Sequence, residues 1–187
     1  MGSNVARRAA LWCVLALIPA IATAERWDPR GYVVYCPCQG RFGNQVEYLL
    51  GALAHAKRVD RTLVVPPFIE DDPTRFVPFG EYFQMEALQA FHRAVTMEEW
   101  VSTLAPEHWR PEDRVAYCPS QDGLTECAMR RGNPSTPFWD HFEVKFARSE
   151  FLPDLTARLD PTAHPVVALP GAPAPYPIDP ADRSLQQ

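Results

Sequence analysis

The segment from residue 32 to residue 65 constrains the fold most strongly, because two strand patterns flank one long helix pattern. Tyr32–Tyr35 and Thr62–Val65 are rich in β-branched and aromatic residues, as strands are. Between them, apolar residues recur with helical spacing. The positions of this apolar face are Val46, Leu49, Leu50, Leu53 and Ala54. A strand, a helix and a second strand form a βαβ unit, which predicts an α/β domain with a parallel sheet.

The loop between the first strand and the helix is the candidate binding site. Amides at a helix start lack partners within the helix and carry the positive end of its dipole, so they suit a phosphate. Gly40 and Gly43 allow sharp turns and close approach of a ligand. Arg41 adds a cation whose fork geometry matches phosphate oxygens, and Asn44 can donate a hydrogen bond or cap the helix. The loop therefore indicates a nucleotide-diphosphate site, and the alternative is a glycine turn capped by Asn44.

Weaker patterns outline the rest of the domain. Further strands are predicted at residues 114–117 and 166–169. A helix is predicted to begin at a capping box whose first residue is Thr96 and to stop at Pro106. The aromatic-rich segment 138–142 is expected to pack in the core.

Residues 68–83 contain two prolines and are predicted to form a loop. The acidic run Glu70, Asp71 and Asp72 lies within it. A metal site is the alternative to a solvated loop, but nothing nearby completes an oxygen cage. We therefore predict no metal here.

The amino terminus is predicted to be a cleavable secretory signal peptide over residues 1–24. Arg7 and Arg8 form its positive region, residues 9–18 its apolar core, and residues 22–24 a small-x-small cleavage site. An uncleaved anchor is the alternative, but the apolar run is shorter than the roughly 20 residues that span a bilayer. The chain carries a net charge of −5 and no basic stripe, which argues against nucleic acid and anionic membranes as partners.

Four cysteines follow the predicted signal peptide, and an even number in a secreted chain suggests two disulfides. Proximity favours the pairs Cys36–Cys38 and Cys118–Cys127, although four cysteines allow three pairings. A four-cysteine zinc site is the alternative, but neither spacing matches the two-residue gap of zinc knuckles.

Several of these segments resemble the GDP-fucose protein O-fucosyltransferase family. The first and most specific block is Gly31-Tyr32-Val33-Val34-Tyr35-Cys36-Pro37-Cys38-Gln39-Gly40-Arg41-Phe42-Gly43-Asn44-Gln45. The resemblance covers nearly all of the chain from Trp27 onward. It continues through residues 61–67, 104–106, 114–118, 132–134, 137–140 and 168–174.

The resemblance implies a Rossmann-like α/β amino-terminal half of a GT-B glycosyltransferase. It implies inverting transfer of L-fucose from GDP-fucose to Ser or Thr of EGF-like repeats, in secreted or cell-surface proteins such as Notch-type receptors. It also implies no cofactor or obligate metal, and residence in the endoplasmic reticulum lumen. Both favoured cysteine pairs match family disulfides. The residues that match the family's donor-site loop are Arg41, Phe42, Gly43 and Asn44, with Asn44 near the reacting centre.

The sequence also departs from the family pattern. The family's His-x-Arg-x-Gly-x-Asp-Trp block, which carries the catalytic arginine, is absent from residues 1–187. By the resemblance, that arginine is expected to lie beyond Gln187, so no catalytic residue is assigned in this chain. We expect an amino-terminal half that is inactive alone, and the alternative is a non-catalytic lumenal module that binds EGF-like repeats. The predicted organisation is a signal peptide at 1–24, a Rossmann-like domain at 25–164, and a Pro-rich strand and linker at 165–187.

Overall fold

The computed structural model describes residues 27–38, 40–119, 135–152 and 158–169. The predicted signal peptide, Cys127 and the Pro-rich residues that follow Leu169, as far as Gln187, lie outside the described residues. The strands are β1 (Tyr32–Tyr35), β2 (Thr62–Val65), β3 (Phe68–Ile69), β4 (Phe76–Val77), β5 (Ala94–Thr96), β6 (Val115–Pro119), β7 (Arg148–Leu152) and β8 (Val166–Leu169). The α-helices are α1 (Phe42–Val59), α2 (Met85–Phe91), α3 (Met97–Glu99), α4 (Ala105–His108) and α5 (Ser135–His141).

Six strands form one parallel sheet in the order β5-β2-β1-β8-β6-β7, and β3 pairs with β4 in a separate antiparallel ribbon. At the centre of the sheet, Val33 of β1 lies opposite Leu63 of β2 on one side and Val167 of β8 on the other. The α/β class and the parallel sheet predicted from the sequence are thereby confirmed. The strand predicted at residues 166–169 is β8, which lies beside β1 in the middle of this sheet.

Both faces of the sheet are covered, which explains why the central strands are apolar at every position rather than at alternate positions. Tyr32 and Val34 point to the face that holds Trp100 and Trp139. Val33 and Tyr35 point to the opposite face, which α1 covers. The aromatic segment 138–142 contributes buried rings to the first face, as predicted.

The apolar face predicted for α1 is partly wrong. Leu50 is 59% exposed, whereas Leu49 and Leu53 are buried. A helix buries one stripe, and here the stripe keeps a spacing of three to four residues while small side chains let α1 approach the sheet closely. The buried residues of α1 are Gln45, Leu49, Gly51, Ala52, Leu53, His55, Ala56 and Val59.

The helix that follows β5 differs from its prediction at the carboxyl end. Its predicted start is confirmed, because the Thr96 hydroxyl accepts a hydrogen bond from the Glu99 amide at 3.2 Å. Pro106 does not stop the helix. A π turn at Trp100–Leu104 separates α3 from α4, and Pro106 lies in the first turn of α4, where a missing N–H is tolerated.

Residues 68–83 are more ordered than the predicted loop, since they contain β3, β4 and a 3-10 turn at Phe79–Glu81. Strands of two residues are too short to show a period in the sequence. In the part of the chain that the structure describes, no helix has both the length and the apolar character needed to cross a membrane.

Arg61, just before β2, is only 1% exposed and joins two parts of the chain. Its guanidinium donates to the carbonyl oxygen of His164 at 2.6 Å and to that of Leu159 at 2.9 Å. A Cβ at Gly31, whose φ is +79°, would collide with this guanidinium. Burial lowers the pKa of Arg61, and the two carbonyl oxygens compensate the buried cation in part.

Arg61→Met should therefore lower the free energy of unfolding by about 2–4 kcal/mol, because two partly buried carbonyl oxygens lose a charged donor. The measurement is urea unfolding followed by circular dichroism. Arg58→Met, at an exposed arginine of α1, is the matched control and should cost no more than about 0.5 kcal/mol. Equal losses in the two variants would contradict this account of Arg61.

The buried side chain of His55 should make the stability of the fold depend on pH. Burial, with the nearby charges of Arg58 and Arg61, lowers the pKa of His55 to about 4. The unfolded chain takes up this proton near pH 6.5, about the ordinary pKa of histidine, and the folded chain does not. The free energy of unfolding should therefore fall as pH drops from about 6.5 to about 4, by a total on the order of 3 kcal/mol from this residue. His55→Gln should flatten this dependence in urea unfolding, and an unchanged dependence would contradict the assignment.

Candidate functional site

The candidate site lies where β1 ends and the chain turns into α1. From β1 the chain passes through α1 to β2 on one side, while β8 adjoins β1 on the other side. The strand order thus reverses beside β1, since β2 and β5 lie on one side of it and the later strands β6, β7 and β8 lie on the other. Open α/β sheets bind ligands in the crevice at such a switch point. The sheet topology therefore places the predicted diphosphate loop at the expected position.

The loop reaches the helix through a left-handed turn at Gly40, whose φ is +70°. A Cβ at this position would lie 2.6 Å from the Asn44 side chain, so the close approach requires glycine. Arg41 is the N-cap residue and makes no side-chain capping bond. Asn44 is the third residue of α1, so the alternative in which Asn44 caps the helix is wrong. The amides of residues 42–44 belong to the first turn and have no acceptor within the helix.

Gly43 differs from Gly40. It lies within α1, and a Cβ there would meet no atom within 4 Å. The fold therefore does not require glycine at this position, contrary to the prediction that both glycines make sharp turns. The open space beside Gly43 is compatible with the predicted close approach of a ligand to the helix start.

Arg41 and Phe42 are both exposed at the entrance of the site. The Arg41 side chain is 83% exposed, and its Nη1 lies 3.2 Å from the Asp71 carboxylate. Phe42 is 45% exposed, and its ring centroid lies 5.1 Å from that of Phe68 and 4.9 Å from that of Tyr82. These side chains line an open groove of about 390 Å³. A cation and an aromatic platform thus lie beside the first-turn amides.

Gln45 is the residue of this loop whose role the sequence did not predict. It is 1% exposed, and its side-chain amide pairs with the backbone of Ile69 in β3. Oε1 accepts from the Ile69 amide at 2.8 Å, and Nε2 donates to the Ile69 carbonyl oxygen at 2.7 Å. A glutamine four residues before Leu49 on a buried stripe is the signal that could have revealed this role.

Each residue of the acidic run, which connects β3 to β4, has its own protein partner. Glu70 pairs with Arg75 at 3.2 Å, and Asp71 pairs with Arg41. Asp72 accepts hydrogen bonds from the amide and hydroxyl of Thr74, which lower the pKa of its carboxyl. Among the described residues, no group of three or more acidic, His or Cys side chains is arranged to hold a metal ion.

A disulfide precedes the loop. Cys36 is bonded to Cys38, with their Cα atoms 5.0 Å apart. Cys118 is also disulfide-bonded, while its predicted partner Cys127 lies outside the described residues. Sulfur atoms bonded in this way are not available as the thiolate ligands of a zinc site.

The two glycines of the loop give a matched test of this geometry. Gly40→Ala should lower the free energy of unfolding by at least about 1 kcal/mol, because its φ is positive and the new Cβ meets Asn44. Gly43→Ala should raise it by about 0.5–1 kcal/mol, because alanine is the better helix former and has room. Thermal or urea unfolding of both variants checks the prediction, and stability changes of the same sign would contradict it.

Comparisons with known proteins agree with this architecture. The sequence model of the family "GDP-fucose protein O-fucosyltransferase" matches residues 32–186. GDP-fucose protein O-fucosyltransferase 1 of Caenorhabditis elegans is 40% identical, over 83% of this chain and 46% of the relative.

Solved structures named POFUT1 are also similar. The apo form aligns with a TM-score of 0.73 and 41% identity, over 82% of this chain and 49% of that chain. The complex with GDP-fucose aligns with a TM-score of 0.72 and 39% identity, over the same shares. The chain thus spans about half the length of the relatives that it matches, and over that half it has the fold of a GT-B enzyme. The chain belongs to the GDP-fucose protein O-fucosyltransferase family.

Proposed function

We propose that this chain forms the donor-diphosphate side of a peptide O-fucosyltransferase site. The complete site takes L-fucose from GDP-fucose and attaches it to a Ser or Thr hydroxyl of an EGF-like repeat. One observation carries the proposal. The first turn of α1 and the exposed Arg41 lie directly after the carboxyl end of β1, where the strand order reverses, in a chain 39% identical to a POFUT1 solved with GDP-fucose.

The proposed role of the loop is electrostatic. When the bond between fucose and the β-phosphate breaks, negative charge develops on the phosphate oxygens. Preorganised donors aimed at those oxygens stabilise the charge, and the amides of residues 42–44 and the Asn44 side chain are such donors. Arg41 can join them, because its ion pair with Asp71 is exposed and an exposed pair contributes about 1 kcal/mol or less.

The remaining parts of the reaction are proposed to lie outside this chain. By family resemblance, the catalytic arginine and most guanine contacts belong to the second half of the enzyme, beyond Gln187. One side of a two-sided site does not orient the reactants, and orientation is worth up to about 7–11 kcal/mol. We therefore propose that this chain alone transfers no fucose. The predicted signal peptide and the Cys36–Cys38 disulfide support the endoplasmic reticulum lumen as its compartment.

Calorimetric titration of the chain with nucleotides tests the donor-side role. We expect weak binding of GDP and UDP with similar affinities, because the loop contacts the diphosphate and not the base, and weaker binding of GMP. Asn44→Ala should weaken GDP binding by about tenfold or more, since one hydrogen bond to a charged group is lost. Glu47→Ala, at an exposed position of the same helix, is the matched control and should bind no more weakly than the wild type. Binding that discriminates GDP from UDP, or that ignores Asn44→Ala, would contradict the proposal.

A transfer assay with labelled GDP-fucose and a folded EGF-like repeat tests whether the chain needs a second half for activity. The chain alone should leave the repeat unlabelled, and the same sequence joined after Gln187 to a second half from the family should label it. Labelling by the chain alone would show that the catalytic groups are misassigned. A joined protein that binds the repeat and labels nothing would favour the non-catalytic alternative.

A further inference from the structure

We propose that Gln45 is a positioning residue for the diphosphate loop, and that it acts by fixing the start of α1 against the backbone of β3. The inference rests on the proposed function, because it concerns how the same loop is held for its ligand. Gln45 need not touch the ligand, since its side chain is buried and engaged with the protein backbone.

The side-chain amide of Gln45 pairs with the edge of β3 in the way that a neighbouring strand would. Its amide group exchanges two hydrogen bonds with the backbone of a single residue, Ile69, which is 24 positions away in the sequence. The outer edge of β3 is in turn paired with β4, where Ile69 lies opposite Phe76. The same Nε2 lies 3.4 Å from the Gly40 carbonyl oxygen. Gln45 thus joins the loop, the helix start and the β3–β4 ribbon at one buried point.

The position of Gln45 in α1 connects this anchor to the site. Its backbone amide donates to the Arg41 carbonyl oxygen at 3.1 Å, so Gln45 closes the first turn of the helix. The amides proposed to face the diphosphate lie inside that turn. Any rotation or shift of the turn moves those amides, and binding groups must be held within about 0.5 Å of their working geometry.

The other described contacts between loop and ribbon are weaker constraints. Both side chains of the Arg41–Asp71 ion pair are mostly exposed, and such pairs contribute little. The Phe42 ring is nearly half exposed where it meets Phe68 and Tyr82. The Gln45 pair is buried, so its loss leaves a donor and an acceptor of Ile69 without partners. Gln45 is therefore the contact best suited to fix the loop.

The first test compares Gln45→Met with Arg61→Met, a destabilising change beside Gly31 at the start of β1, the end of the strand away from the loop. Under conditions in which both variants are folded by circular dichroism, Gln45→Met should bind GDP at least about tenfold more weakly than wild type. Arg61→Met should bind GDP as the wild type does. Equal GDP affinities in the two folded variants would overturn the positioning role.

Gln45→Glu adds a second test, the pH dependence of GDP affinity, which a merely structural role of Gln45 would not change. A protonated carboxyl offers one donor and one acceptor, as the amide does, whereas a carboxylate only accepts. Burial raises the pKa of such a carboxyl. GDP affinity of Gln45→Glu relative to wild type should therefore rise as pH falls from about 8 to about 6. A ratio that is constant with pH would count against the pairing with Ile69 as the basis of positioning.

Amide hydrogen exchange without ligand separates this inference from the proposed function. Gln45→Met should speed exchange at the amide of residue 45, which closes the first turn through the Arg41 carbonyl oxygen, and at that of Ile69, relative to Arg61→Met. If wild-type chain binds no GDP, the proposed function fails, and the exchange pattern still decides on Gln45. Unchanged exchange at these amides would overturn the inference even if GDP binds as proposed.

Discussion

The parallel pairing of β1 with strands on both of its edges is the constraint on which the rest of the structure depends. β1 bonds to β2 and β8, and its side chains are almost fully buried on both faces. The chain leaves this strand at its carboxyl end, where Tyr35 leads into the disulfide and the loop. The position of the loop thus follows from the sheet, because β1 is central and the strand order reverses beside it.

A second constraint converts this position into a defined geometry. The sheet determines where the chain leaves β1, but the orientation of the first turn of α1 also depends on what that turn packs against. The buried amide of Gln45 supplies that contact by pairing with Ile69. Arg41, Phe42 and Asp71, by contrast, are exposed at the entrance of the site. The candidate site therefore combines a buried anchor with exposed side chains at its entrance, an arrangement that suits the proposed diphosphate ligand.

The parts of the fold that were predictable are those with a local signal. β1, β2, β8 and α1 have enough length and apolar character to be recognised, and the loop between β1 and α1 is located by the same pattern. Its assignment to a diphosphate stays a prediction from the chemistry of a helix start. β5, the β3–β4 ribbon and α2 were missed, because elements this short show no period and form through partners that are distant in sequence. Leu50 was misplaced because helical spacing alone does not say which neighbouring stripe faces the sheet. The link between Gln45 and Ile69 spans 24 residues and has no sequence motif of its own.

The most direct test of the donor-side assignment is a nuclear magnetic resonance titration of the isotopically labelled chain with GDP, followed at each backbone amide. The account predicts that shift changes concentrate at Gly40, Arg41 and the first-turn amides of α1. Amides at the opposite edge of the sheet, such as those of Gly31 and Arg93, should stay unchanged. Saturating GDP that leaves the loop amides unperturbed, or that perturbs the opposite edge instead, would contradict the assignment of this loop to the diphosphate.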